Sequence, residues 1–300
     1  MKMSVIKINN ITSRDGTTGP VIAGITTVSS TSHLVVPTGN TGQKTALAPD
    51  PYIDNLVLAL PFNSESVFND VSPRNQGTFS GRGSVGFATT TASLPFGVSG
   101  VTTTSVGIVT FSKYYGTSVG FNTNISVTQA LQNVSTSDYQ FGGQDFTIEC
   151  WVYVKNFVSN NYGIIVKSST DNGWGTGWTL YTRSNAGSFS WYGTGTGVDG
   201  QSYTLEVNSA STYSIGTWHH VAVVRRNFVR YLYVNGVLDR SDTDLVNYVP
   251  TSIISIGNDI SSTYRFDGYL QDLRIYKGVA KYTGISTTSA NFTLPTQIAL

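Results

Sequence analysis

Side chains able to bind a sugar are concentrated in one stretch, "SSTDNGWGTGWTLYTRSNAGSFSWYGTGTG", which covers residues 168–197. Aromatic rings stack on the apolar C–H faces of sugars, while Asp, Asn and Arg hydrogen-bond to the hydroxyl groups. We expect Trp178 and Trp191 to fill a core, and Trp174, which is flanked by glycines, to lie in an exposed loop. The candidate glycan-binding residues are Asp171, Asn172, Trp174, Tyr181, Arg183, Asn185 and Tyr192.

Other side chains with reactive chemistry favour structural roles. His219 and His220 are neighbours, and adjacent residues of a strand point to opposite faces, so they are poorly placed to chelate one metal. Cys150 alternates with apolar residues and is expected to be a small buried side chain. A nucleophilic cysteine needs a histidine and an electropositive setting, which the sequence does not show.

Hydrolysis of a glycosidic bond needs two carboxylates that flank the bond. The glutamates are Glu65, Glu149 and Glu206, each in a separate stretch. No two carboxylates alternate along an aromatic-rich strand, although a pair assembled from distant strands stays open. We therefore predict that the protein is not an enzyme, and we assign no catalytic residue.

The composition is poor in charge. Charged residues make up 12% of the chain, about half of the usual quarter. The formal net charge of +1 gives no electrostatic footprint for nucleic acid. No run of about 18 apolar residues predicts a membrane span, and "MKMSVIKINN" lacks the apolar region of a secretory signal. A single cysteine excludes an internal disulfide framework, which suits folding in a cytoplasm.

The pattern along most of the chain is that of strands and turns. In "FTIECWVYV" the side chains of Phe146, Ile148, Cys150 and Val152 share one face, which predicts a strand with a buried side. Asn235-Gly236, between β-branched and aromatic runs, predicts a two-residue hairpin turn. No helical pattern of useful length is present. We predict an all-β fold of two antiparallel sheets from about residue 50 to 296, with under about a tenth of the residues helical.

Residues 1–49 differ from the rest of the chain. Short apolar bursts, such as those at Ile6, Ile8, Val21 and Ile22, are separated by Gly and Pro. A segment this short is difficult to fold on its own, so we expect it to pack on something else. We expect an N-terminal arm that docks on the following domain, residues 50–300, or on another subunit by β-augmentation. A partly disordered leader is the alternative.

Four segments in fixed order carry a resemblance to a known family: "NLVLALPF", "DFTIECWVYV", "WHHVAVVRR…YLYVNGVLD" and "FDGYLQDLRIYKGVAKYT". Together they resemble the concanavalin A-like jelly rolls of the laminin G type, above all versions carried by phage virion proteins. The likeness covers roughly residues 50–296. It implies that Leu273 and Ile275 point into the core, that Gly278 turns the chain, and that Val279 and Tyr282 fold back onto the sheet.

The arm is similar to leaders of structural proteins of marine cyanobacterial phages. Together the two resemblances imply a protein on the virion surface, assembled in the host cytoplasm, either as capsid decoration or associated with a tail or fibre. Expected partners are other virion proteins, a host surface glycan, and further copies of the chain in a homo-oligomer, with a trimer favoured. The alternatives are a polysaccharide depolymerase and a cement protein without a ligand.

Some members of the family hydrolyse β-glucans or hold a structural calcium ion. The sequence lacks the "E-x-D-x-x-E" strand of the hydrolytic branch, so hydrolysis is not implied. Asp70 and Asp272 lie in the segments where other members place calcium ligands, although Asp272 could instead pair with Arg274. We assign no cofactor and no metal site.

Overall fold

The computed structural model describes residues 35–36, 44–45, 50–62, 68–82, 118–121, 129–134, 136–156, 162–169, 175–183, 187–197, 199–251, 253–258 and 264–295. The chain divides into two units, Met1–Pro49 and Asp50–Leu300. The described part of the first unit is an antiparallel pair of short strands, β1 (Val35–Val36) and β2 (Lys44–Thr45). Ile6, Ile8, Val21 and Ile22 of the arm lie outside the described residues, so its docking stays a prediction.

The described part of the second unit contains fourteen strands and two short 3-10 turns, Ile53–Asn55 and Ser137–Tyr139. The strands are β3 (Leu56–Leu60), β4 (Ser80–Arg82), β5 (Val119–Phe121), β6 (Ala130–Val134), β7 (Phe146–Asn156), β8 (Tyr162–Ser169), β9 (Gly177–Arg183), β10 (Ser188–Thr196), β11 (Ser202–Asn208), β12 (Trp218–Arg226), β13 (Val229–Val234), β14 (Val237–Thr243), β15 (Ile253–Ile256) and β16 (Asp267–Lys277).

These strands form two sheets. Sheet 1 has the order β11-β10-β9-β8-β15-β6-β4, and sheet 2 has the order β14-β13-β12-β7-β16-β3, with β5 also paired to β16. Every strand pair in both sheets is antiparallel. The predicted all-β, two-sheet fold is confirmed.

The core lies between the two sheets, and β7 forms its middle in sheet 2. Phe146, Ile148, Cys150 and Val152 are all completely buried, as their alternation predicts. On sheet 1, the indole rings of Trp178 and Trp191 stack at 5.8 Å with an interplanar angle of 5°. Both are fully buried, and each indole N–H has an acceptor, the carbonyl of Tyr139 and the hydroxyl of Tyr248 respectively. Their predicted place in the core is confirmed.

The Asn235-Gly236 turn has the predicted form. It joins β13 to β14, with Val234 paired to Val237 across the two-residue loop. The φ angles are 52° at Asn235 and 81° at Gly236, and two consecutive positive values define a type I′ turn. This turn twists in the same sense as the strands that it connects.

Sheet 2 is covered on its outer side by the end of the chain. Leu273 and Ile275 of β16 are completely buried in the core, and Gly278, at φ 82°, turns the chain back. We call residues 278–295 the C-terminal strap. Val279 packs against β3 and the end of β16, and Tyr282 packs against β12 and β13, both on the outer face. The predicted return of the chain onto the sheet is confirmed.

Candidate functional site

Three of the seven predicted glycan-binding residues are described: Tyr181 and Arg183 on β9, and Tyr192 on β10. Side chains alternate along a strand, and Trp178 and Leu180 occupy the core side of β9. Tyr181 and Arg183 therefore lie on the outer face of sheet 1. Tyr192 follows Trp191, a core residue, and lies on the same outer face. The other four candidates, Asp171, Asn172, Trp174 and Asn185, lie outside the described residues, so their roles stay predictions.

Tyr181 and Arg183 converge on Glu206 of β11. The Tyr181 hydroxyl donates to Oε1 of Glu206 at 2.7 Å, and Arg183 Nη1 donates to the same oxygen at 3.1 Å. The Arg183 guanidinium also lies 5.7 Å from the centre of the Tyr162 ring. Glu206 is therefore held in place by two neighbouring side chains, and its charge is balanced by that of Arg183.

The buried phenol of Tyr181 fixes the position of the Glu206 carboxylate through its hydroxyl group. Its side chain is completely buried. Burial, together with the hydrogen bond to Glu206, raises the pKa of Tyr181 above its usual value. The hydroxyl thus stays protonated and keeps its proton for Glu206. A buried ring cannot offer its face to a sugar, so the described role of Tyr181 is to position Glu206.

The outer face of sheet 1 becomes accessible toward its edge at β10 and β11. Thr179 and Lys167, on β9 and β8, are each 2% exposed, whereas the Glu206 side chain is 39% exposed. We define the edge strip as Tyr192, Thr194, Thr204 and Glu206. Of these, Tyr192 and Thr194 are half-buried, and Thr204 and Glu206 are exposed.

The pairing of β10 with β11 brings the members of the edge strip together. Tyr192 lies directly opposite Glu206, and Thr194 directly opposite Thr204. The two threonine hydroxyls are 3.3 Å apart, and opposite residues of an antiparallel pair have Cβ atoms about 4.5–5.5 Å apart. One short surface thus offers an aromatic ring, a carboxylate and two hydroxyl groups, which can stack on a sugar and exchange hydrogen bonds with it.

Gly193 allows β10 to pack closely on the core while its neighbours Tyr192 and Thr194 face outward. It lies on the inner side of the strand, between Tyr192 and Thr194, where Tyr248 packs directly against the backbone. A Cβ atom at this position would collide with the Tyr248 hydroxyl. The glycine therefore lets the core ring approach, while its two neighbours face outward.

Sequence reasoning missed three of the four residues of the edge strip: Thr194, Thr204 and Glu206. In the sequence Glu206 stands alone, with no second carboxylate on its strand. The alternation of "SYTLEVN" at 202–208 places Thr204 and Glu206 on one face. That signal identifies the face, but only the register with β10 shows that Tyr192 is opposite Glu206.

The carboxylate of Glu149, on the outer face of sheet 2, is enclosed by the C-terminal strap. Lys281 Nζ lies 2.6 Å from Oε1, the Tyr282 hydroxyl donates to Oε2 at 2.5 Å, and His220 Nε2 lies 3.2 Å from Oε2. Burial alone would raise the pKa of Glu149, but Lys281 and His220 outweigh it and hold the pKa well below its usual value. Glu149 is therefore an ionised structural group rather than a proton donor.

The two aspartates considered for calcium both have protein partners. Asp70 accepts four hydrogen bonds, from the backbone N–H groups of Ala59, Ser72 and Gln76 and from the Ser72 hydroxyl. Asp272 pairs with Arg274, whose Nε donates to Oδ1 at 2.8 Å. In the described ranges no group of three or more His, Cys, Asp or Glu side chains could hold a metal ion.

The two neighbouring histidines lie on opposite sides of sheet 2, as predicted. His219 contacts the Phe189 and Tyr213 rings edge-on, and burial lowers its pKa. His220 instead faces Glu149 beneath the strap. Within the described part of the chain, no helix is long and apolar enough to cross a membrane.

Comparison with known families identifies the group to which this sandwich belongs. Residues 128–285 match the laminin G model described as the concanavalin A-like lectin/glucanases superfamily. This match spans more than half of the chain, so the chain belongs to that superfamily. No curated protein sequence matches the chain.

Several solved structures share the fold at low sequence identity. The binding domain of Paraclostridial Mosquitocidal Protein 1 has 18% identity and a TM-score of 0.52, over 76% of this chain and 50% of that one. The binding domain of botulinum neurotoxin serotype D/C VPI 5993 has 16% identity and a TM-score of 0.52, over 76% and 50%. A structure of botulinum neurotoxin type C, whose cell entry depends on two ganglioside molecules, has 18% identity and a TM-score of 0.51, over 76% and 49%. The chain spans about half the length of these structures, and the likeness concerns the fold alone.

Proposed function

We propose that this member of the concanavalin A-like superfamily is a non-catalytic glycan-binding module displayed on the surface of a phage particle. The observation that carries the glycan-binding part is the edge strip, where the ring of Tyr192 lies opposite the oriented carboxylate of Glu206. The pair is at the accessible edge of sheet 1. Sugars are bound by this combination of an aromatic face and fixed hydrogen-bonding groups.

The charge of the edge strip favours a neutral sugar. Glu206 is paired with Arg183 at 3.1 Å, so the strip carries no net charge from this pair. The remaining carboxylate oxygen can accept from sugar hydroxyls, and the Thr204 hydroxyl can donate or accept. The Thr194 hydroxyl donates to the carbonyl of Tyr203 at 3.0 Å, so it can accept from a sugar. Carboxylated or sulfated glycans would gain no free cation here.

The arrangement of carboxylates supports a role without catalysis. Glycosidases use two carboxyl groups that flank the bond, roughly 5–10 Å apart. Glu149 lies under the C-terminal strap with Lys281 and Tyr282 as partners. Asp70 and Asp272 are likewise engaged by protein donors. Each of these groups has a structural use that would be lost if it acted on a substrate.

The ganglioside-binding toxin adds support for a display role of the fold. Cell entry of botulinum neurotoxin type C depends on interaction with two ganglioside molecules. That property belongs to the toxin. It supports the proposal that a sandwich of this fold can present a glycan-binding site.

Placement on a phage particle rests on the sequence resemblance and on the low share of charged residues, 12%. In this proposal residues 1–49 anchor the protein to other virion proteins and to copies of itself, with a trimer favoured, and the sandwich faces outward. Cryo-electron microscopy of the particle tests the anchoring: an arm folded entirely onto its own domain would rule it out.

A glycan array followed by titration calorimetry tests the edge strip. The wild-type protein should bind at least one neutral glycan, and Tyr192→Ala should weaken binding by at least tenfold because the stacking face is lost. Glu206→Gln should weaken it less. Tyr231→Ala, which removes a half-buried tyrosine from the outer face of sheet 2, is the matched control and should bind normally.

Two results would replace the proposal by another function. Turnover of a host envelope glycan, abolished by one Asp or Glu substitution, would identify a depolymerase. If the protein binds no glycan on the array, and particles that lack it are less stable, it is a cement protein.

A further inference from the structure

Two arginines face the interior of the sandwich at the same place. Arg225 of β12 and Arg230 of β13 are directly opposite each other in the antiparallel register. Their side chains are 0% and 1% exposed. Arg225 Nη1 lies 3.7 Å from Oδ1 of Asp244, and Arg230 Nη1 lies 3.6 Å from Oδ2 of the same residue. Two buried cations thus face one buried carboxylate.

Each of the three guanidinium nitrogens of Arg225 has a hydrogen-bond acceptor. Its Nε donates to the carbonyl of Gln144 at 3.0 Å, its Nη1 to that of Val246 at 2.6 Å, and its Nη2 to that of Gly142 at 2.6 Å. These carbonyls fix the guanidinium group in the fold. Arg225 therefore acts as a structural clamp between β12 and the neighbouring loops.

The carboxylate of Asp244 is also engaged. The Tyr248 hydroxyl lies 3.1 Å from Oδ1 and 2.9 Å from Oδ2, and the Val246 N–H donates to Oδ1 at 3.2 Å. Tyr248 in turn accepts from the indole of Trp191. Asp244 cannot turn toward Arg230 without losing these bonds.

Arg230 differs from both, because its two terminal nitrogens, Nη1 and Nη2, are buried without a hydrogen-bond acceptor in the described part of the chain. The 3.6 Å separation from Asp244 exceeds hydrogen-bonding distance. Buried guanidinium groups are strongly disfavoured without acceptors and a compensating charge.

The other nearby carboxylates do not supply the missing acceptor. Asp242, the pairing partner of Arg230 on β14, is bound by Arg240 Nε at 3.0 Å. Asp145 accepts from the backbone N–H of Asn227. Neither of these carboxylates therefore gives an acceptor to the Arg230 Nη groups.

We propose that Arg230 binds a small monovalent anion inside the sandwich, between β13 and the Asp244 segment. The two Nη groups of a guanidinium form a planar fork that directs two N–H groups at one acceptor. A monovalent anion would accept from both groups and pair directly with the Arg230 charge, which lies beyond hydrogen-bonding distance of Asp244, whereas a water molecule would supply an acceptor without charge. The site is separate from the edge strip and does not depend on the proposed glycan function.

Chloride is the probe, and the thermal stability of the full chain is the readout. Melting is measured in potassium chloride and in potassium gluconate at equal ionic strength, since gluconate is too large for a buried site. Chloride should raise the melting temperature saturably, by roughly 3–8 °C at a hundredfold excess over its dissociation constant. Arg230→Met should abolish this response. Arg74→Met, at an exposed arginine of the loop before β4, should retain it.

Equal melting temperatures of the wild type in the two salts would overturn the proposal, as would a chloride response that persists in Arg230→Met. A crystal of the wild type soaked in bromide gives a test that does not depend on the variant folding. An anomalous peak within hydrogen-bonding distance of the Arg230 Nη atoms is expected. A soaked crystal without that peak would overturn the proposal.

Discussion

The charge of Glu149 holds the C-terminal strap through Lys281 and Tyr282. The pKa of Glu149 lies well below the ordinary value of 4.5, so folding favours the ionised form. The resulting stability is fully present above about pH 4.5 and is lost as the pH falls through the lowered pKa. Glu149→Gln should therefore destabilise the protein at pH 7 by about 3–5 kcal/mol, because Lys281 loses the closer of its two buried carboxylate partners and keeps only Asp50 at 3.7 Å. Urea unfolding at pH 7 measures this change.

Urea unfolding repeated below pH 4.5 distinguishes the loss of the Glu149 charge from a loss of packing. In Glu149→Gln the decline of stability below pH 4.5 should be shallower than in the wild type. Glu206→Gln is the control, because that side chain is 39% exposed, and it should change the free energy of unfolding by no more than about 0.5 kcal/mol. Parallel acid profiles for wild type and Glu149→Gln would contradict the assigned role of the carboxylate.

Cys150 offers a second residue-scale prediction, because it is completely buried between the sheets. Cys150→Asp should cost several kcal/mol, since it places a carboxylate in the core without a partner. Cys150→Ala, which changes volume but not charge, should cost about 1–2 kcal/mol. Chemical denaturation of the two variants side by side measures the difference. Similar losses in both would mean that the position tolerates charge and is not interior.

The sequence predicted single residues well where alternation determines their face, and poorly where side chains meet across strands. The burial of Phe146, Ile148 and Cys150 follows from period-two alternation alone. The contacts of Glu206 with Tyr181 and Arg183 join two strands that are separated by β10. No local pattern specifies that meeting, so Glu206 could not be identified as the centre of the strip.

At the scale of elements, the Asn235-Gly236 turn also anchors the strap. The carbonyl of Gly236 accepts from the backbone N–H of Asn291 at 2.7 Å, and a Cβ on Gly236 would lie 3.1 Å from the carbonyl oxygen of Phe292. Gly236→Val should therefore cost about 2–4 kcal/mol, from the positive φ and from this contact. The melting temperature and the free energy of unfolding report the loss.

Gly200 provides the matched control for that substitution. Its φ of 82° is nearly the same, but no atom lies within 4 Å of a Cβ placed there. Gly200→Val should therefore show only the conformational cost, about 1–2 kcal/mol. An unchanged stability of Gly236→Val would count against the turn and the register of β13 with β14.

Sequence patterns predicted the existence of the elements better than their irregularities. The β16 ladder with β7 shifts register between Gln271 and Arg274, and Asp272 takes a positive φ of 53° at that shift. A bulge of this kind arises from how neighbouring strands fit together, and nothing in "DGYLQDLRIYK" marks it. The inward-facing Arg225 and Arg230 are equally unmarked, because charged residues ordinarily indicate a solvent-facing side.

For the whole molecule, the core of the sandwich is supplied by residues from Val57 to Ile275. Deletion of residues 1–49 should therefore leave a folded, soluble domain with an unchanged β-type far-UV spectrum and a cooperative melt. We expect the truncated protein to be monomeric in sedimentation experiments and the full chain to be oligomeric. If the truncated chain still assembles and joins the particle, the interface lies in the sandwich and the arm is only a leader.

The C-terminal strap has a mechanical consequence. Its backbone is held by isolated hydrogen bonds, such as those from Leu238 to Ser286 and from Asn291 to Gly236, whereas β16 is bonded to β7 along one edge and to β3 and β5 along the other. A pulling force applied beyond residue 295 would act on the strap contacts one after another, but on the β16 ladders all at once. In an optical trap the strap should detach first, lengthening the chain by at most roughly 60 Å, the extended length of its residues at 3.3–3.6 Å per residue. The sandwich should yield only at a higher force, so a tether at this end would extend under load while the domain stays folded.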